Sequence, residues 1–112
     1  MKSSIDHEKI FFNYFLTKPH YLKGTGKGFF ANRDLDIIAK QARDFYLKFG
    51  ESPSKEQMKA LVKDLNDEIS PDIIGSIYDI NINEYDQDWL KRTGEAWVKW
   101  KHFDKQLVRT IE

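Results

Sequence analysis

No cysteine occurs among the 112 residues. That excludes disulfides, a thiolate nucleophile and cysteine-ligated zinc, and makes a reducing compartment the default expectation. Apolar runs are only a few residues long, far short of a membrane span, and the opening MKSSIDHEK carries no apolar signal core. Net charge is absent as well, since 18 Lys or Arg balance 18 Asp or Glu. A neutral total argues against a dedicated duplex-binding domain, whose affinity comes mainly from phosphate neutralisation. The charges are nevertheless unevenly spread. Residues 1–50 hold 9 cations against 5 anions, residues 51–90 hold 3 against 10, and residues 91–112 hold 6 against 3. Such a pattern suits docking between oppositely charged faces, and equally an ordinary solvated surface.

Chemistry-bearing motifs are missing too. GTGKG at Gly24 to Gly28 lacks the spacing of a phosphate-binding loop: Tyr21 stands where its first glycine belongs, and Gly28 follows Lys27 in place of Ser or Thr. The dinucleotide pattern also fails, because Phe29 takes the place of its third glycine and no strand precedes it. The segment reads as a flexible turn. His7, His20 and His102 lie far apart and no HExxH occurs, so neither metal nor cofactor is expected, and His7 and Glu8 read as surface or interfacial residues. Asp34 with Asp36, and Asp86 with Asp88, suit helix N-termini, where carboxylates face orphan N–H groups. No Ser or Thr has a recognisable base, so the chain alone is not expected to be an enzyme.

What is present is helical. The stretch from Asn32 to Val62 reads as the organising one: Leu35, Ile38, Ala39, Ala42, Phe45, Tyr46 and Phe49 share one side of a helix capped by Asn32 and ended by Gly50. Ser54 opens the next helix with Gln57 at capping-box spacing, and Met58, Leu61, Val62 and Leu65 form its apolar side. Before these, Ile5 to Leu16 forms a helix whose aromatics cover more than one face, so its end is gripped between other elements; Pro19 then starts a short turn. Phe29 and Phe30 follow the glycines, and at least one ring belongs beneath the central helix. After a break over Asn66 to Ser70, Pro71 to about Ile80 carries Ile73, Ile74, Ile77 and Tyr78 inward. The expected core includes Phe15, Phe30, Leu35, Ile38, Ala42, Tyr46, Leu61 and Ile77.

Asp86 or Asp88 caps the longest pattern, a stripe through Leu90, Thr93, Trp97, Trp100, Phe103 or Asp104, Leu107 and Ile111 that meets no stop signal. The helix is therefore expected to continue past Glu112. Trp89, Trp97, Trp100, Phe103, Leu107 and Ile111 are candidate interface residues, and the three tryptophans leave two readings open: pairing with another helix or subunit, or anchoring the arm on the preceding helices. Lys99, Lys101 and Lys105 are candidate phosphate contacts, although their stems also suit snorkelling along the stripe. A helix-turn-helix over residues 54–80 is a poorer reading still, because its second helix is acidic and lacks Arg or Lys to approach a groove. The chain is thus expected to be all-α: a compact orthogonal body of four to five helices over 1–86, then a long helix over 87–112 that begins a hairpin.

The order of these elements resembles the N-terminal domain of DnaB-like replicative hexameric DNA helicases. The matching residues are Phe15, Leu16, Pro19, Tyr21 and Leu22 in FFNYFLTKPHYL; Phe30, Ile37, Ile38 and Tyr46 in the central stretch; and Gly50, Pro53, Leu61 and Val62 in the turn and helix after it. EYDQDWLKRTGEAWVKWKHFDKQL looks closer to the helicases of large tailed phages, particularly at Trp89, Leu90, Lys91 and Phe103. GTGKG has no place in that pattern. The resemblance implies a non-catalytic collar domain that builds homo-oligomers, a dimer or hexamer, and receives primase and a helicase loader. ATP and Mg would belong to a motor domain further along the chain. Direct DNA contact and membrane attachment are not implied, and the compartment would be the cytoplasm of a bacterium or infected host cell. Two other classes stand beside it: a small nucleic-acid-associated adaptor using the basic last helix, and a phage scaffold protein with no replication role.

Overall fold

A computed structural model describes residues 5–65 and 69–111, with side chains through Trp100. The break expected over Asn66 to Ser70 falls partly outside them. The described residues form five α-helices and two short 3-10 turns, with no strand among them. Helix α1 spans Ile5–Thr17, α2 Arg33–Phe49, α3 Lys55–Lys63, α4 Pro71–Tyr78 and α5 Gln87–Ile111; the 3-10 turns are Pro19–Gly24 and Ile82–Glu84. The protein is all-α.

Local chemistry sets the helix ends. The Asn32 side chain accepts from the Leu35 amide (3.1 Å), and Gly50 leaves α2 at φ +79° with its N–H on the Tyr46 carbonyl. Ser54 and Gln57 complete the capping box of α3. Ser70 caps α4 ahead of Pro71, and of the two carboxylates at the start of α5 it is Asp86 that accepts from the Trp89 amide (2.9 Å).

The tertiary centre is α1, not the α2–α3 corner. α1 packs against α2, α4, α5 and both 3-10 turns, whereas α3 packs on α2 and α4. Five consecutive residues of α1, Phe11 to Phe15, are buried, which a one-sided amphipathic helix cannot achieve. Polar groups inside this run are used. Asn13 donates from Nδ2 to the carbonyls of Ile77 (2.9 Å) and Ile80 (3.3 Å) at the end of α4. Glu8, expected at the surface or an interface, is only 2% exposed. Its carboxylate accepts from the Ala31 (2.7 Å) and Asn32 (3.2 Å) amides, tying α1 to the start of α2. At the other end of α1, the Ser52 hydroxyl donates to the Leu16 carbonyl (2.7 Å).

Of the expected core, Phe15, Phe30, Leu35, Ile38, Ala42 and Ile77 are buried, and Tyr46 packs half-buried against them. Leu61 lies outside this cluster: Met58 and Val62, four apart, supply the buried face of α3, and Leu61 falls at its edge. Phe49 is corrected as well, being 58% exposed. Among the described residues its ring contacts are Phe45 (4.6 Å) and Lys48 of its own helix, and it stays outside the core.

Candidate interaction face on α5 and the glycine loop

The long helix is built into the body for its first three turns. Leu90 is fully buried, and Gly94 lets α5 approach α1 so closely that an added Cβ would lie 3.2 Å from Phe15 and 3.6 Å from Phe11. Trp97, left open between an interface and an anchor on the preceding helices, packs partly buried against the aromatic core. Its ring lies 4.6 Å from Phe29, 5.6 Å edge-on to Phe30 and 5.8 Å edge-on to Phe11. No break in packing therefore falls between residues 86 and 87. The spacing of Trp97 on the apolar stripe did not distinguish a core anchor from an interface residue. The missed signal was Gly94, one turn before Trp97, marking a close helix crossing.

The remaining tryptophans differ. Trp89 is 40% exposed but leans on Phe11 (5.3 Å) and Tyr85 (6.5 Å). Trp100 is 64% exposed. Among the described side chains, Val98 is the last of α5 to join the core, and Trp100 stands two residues later, about 200° around the helix from it. The side chains of Phe103, Leu107, Ile111, Lys101 and Lys105 lie outside the described residues.

Against α5 lies the segment from Pro19 to Phe30. The Tyr21 hydroxyl donates to the Glu95 carboxylate (3.0 Å). Burial first, and then this bond, push the Tyr21 phenol above the ordinary tyrosine range. Gly24 touches Val98 so closely that a Cβ there would collide with it. The Thr25 carbonyl accepts from the Arg43 guanidinium on α2, and the Gly28 N–H, at φ +83°, donates to the Asp36 carboxylate (3.0 and 3.1 Å). GTGKG is thus a strap tied to α5 at Gly24 and to α2 at Thr25 and Gly28 rather than a free turn. Asp36 already occupies the amide that a phosphate would seek.

Lys18, Lys23, Lys27 and Lys99 are exposed. Among the described residues no carboxylate pairs with them. Lys23 lies over the Tyr46 ring (5.8 Å). His20 is exposed on the ring of Tyr21 (4.3 Å). Among the described residues no group of His or carboxylates could hold a metal ion, and no helix is long and apolar enough to cross a membrane. Comparison with protein-family models, with curated proteins and with solved structures finds no match for the chain.

Proposed function

We propose that this chain is a non-catalytic helical docking domain, the N-terminal collar of a DnaB-like replicative DNA helicase of the tailed-phage kind. In this reading it organises a ring in the cytoplasm of a bacterium or infected host cell and receives primase and a loader. ATP and Mg act in a motor domain beyond Glu112. The observation that carries the proposal is Trp100, a large apolar ring left 64% exposed just after α5 leaves the core. By helical spacing, Phe103, Leu107 and Ile111 follow it at steps of three, four and four, so α5 continues with a second apolar line displaced from the one that faces the body. A second helix, from the same kind of subunit or from further along the chain, is the natural cover for such a line.

Sedimentation velocity between about 1 and 100 μM tests the self-association. A reversible dimer is expected, with Trp100→Glu shifting it to monomer while leaving the helical signal unchanged. A chain that remains monomeric throughout, alone and when continued to the end of its gene, would remove the basis for the collar. The gene itself gives a second test. It should read on past Glu112 into another amphipathic helix, a linker and a GxxxxGK[ST] segment; a stop codon at that point, or no such segment, rules out the helicase.

A further inference from the structure

The glycine strap and the basic side of α5 meet in a way that spacing alone does not show. From Lys9 to Arg33 the chain carries five cations and no carboxylate. The middle of that stretch is pinned to α5 where Gly24 touches Val98 and Phe29 stacks on Trp97. Lys23 and Lys99 are the chain neighbours of the touching pair Gly24 and Val98, and Lys27 lies in the same strap. Past Val98, positions 101, 105 and 109 continue its line along α5 at steps of three and four, and all three are Lys or Arg. This basic line covers about 16 Å of helix. It is separate from the apolar line that begins at Trp100. Glu95 and Asp36 border the strap, Glu95 accepting from the Tyr21 hydroxyl and Asp36 from the Gly28 amide.

We infer that Lys18, Lys23 and Lys27 of the strap, with Lys99 and the basic line of α5, form a track for single-stranded nucleic acid. An evenly repeated charge matches cations recurring every three or four residues, and a flexible strand can bend from the strap onto the helix. The exposed His20 ring, backed by Tyr21, offers a stacking surface that a base uses and an acidic peptide does not. The track does not depend on self-association, so the two proposals fail separately.

Fluorescence anisotropy of a labelled dT20 strand tests it, with a poly-glutamate peptide as comparison. Binding is expected at low salt, weakening about 50-fold from about 50 to about 200 mM salt if four phosphates are neutralised. Reversing Lys23, Lys27 and Lys99 to Glu should reduce affinity at least tenfold. Reversing the exposed Lys40, Lys48 and Lys63 on other surfaces should change it less than about threefold. His20→Ala should weaken dT20 and leave poly-glutamate unaffected. All six lysines are exposed, and circular dichroism with melting curves checks that both triple variants fold. Three results would each overturn the track: no dT20 binding at about 50 mM salt, equal losses in the two triple variants, or poly-glutamate bound as tightly as dT20, which marks an acidic-peptide surface instead.

Discussion

Glu8 shows how much one buried residue can decide. Its carboxylate satisfies two backbone N–H groups at the mouth of α2, where the helix dipole also favours negative charge. Glu8→Gln keeps the shape but turns an NH2 donor toward one of two donors, so a loss of about 2–3 kcal/mol is expected in urea unfolding. A change below about 0.5 kcal/mol would show that the carboxylate contributes little. Two tyrosines give the fold a pH dependence. Tyr78 is raised by burial, with its hydroxyl on the Pro53 carbonyl (2.9 Å), and Tyr21 is raised as described above. Above pH 10 the unfolded chain releases these protons while the folded chain keeps them, so the stability these two groups contribute is fully present below that pH and is lost as the pH rises above it. An absorbance titration should show two of the five tyrosines ionising only as the helical signal is lost. Tyr78→Phe should make the alkaline fall shallower.

At the scale of elements, two helical glycines look alike in sequence and are opposites in space. An added Cβ at Gly75 in α4 meets only Asp79 and Lys55 atoms, at 3.9 and 4.0 Å, which is ordinary contact. Gly75→Ala should therefore stabilise by about 0.5–1 kcal/mol through helix propensity. At Gly94 the same methyl meets the ring of Phe15, which is fully buried and hemmed in by Phe11, Tyr14, Tyr21 and Phe29. That ring cannot withdraw, so Gly94→Ala should destabilise by about 1–3 kcal/mol despite the better propensity. Thermal melts of the two variants, moving in opposite directions, check the pair. A rise in both would mean that α5 can slide along α1.

For the molecule as a whole, the fate of α5 is the question. Its first three turns complete the aromatic core, so a chain ending at residue 86 loses Leu90, Gly94 and Trp97 and leaves Phe11, Phe15, Phe29 and Phe30 uncovered. It should lose near-ultraviolet dichroism and bind a hydrophobic dye, whereas a chain ending at Trp100 should keep a cooperative melt. A stable fold from residues 5–86 alone would restore the division between body and arm.

Chain chemistry alone determined the all-helical class, the helices and the caps at Asn32, Ser54 and Ser70, and narrowed the start of α5 to Asp86 or Asp88, because caps and apolar spacing act over three or four residues. It also indicated that a ring of the Phe29–Phe30 pair is buried, and both are. Tertiary structure alone decided that α1 is the hub, that Glu8 and Asn13 are buried partners of other helices' ends, that Trp97 packs on the core while Trp100 does not, and that GTGKG is a strap between α2 and α5. Each of those depends on which atoms meet across tens of residues. A stripe of apolar spacing is the same whether a neighbouring helix covers it or leaves it in water.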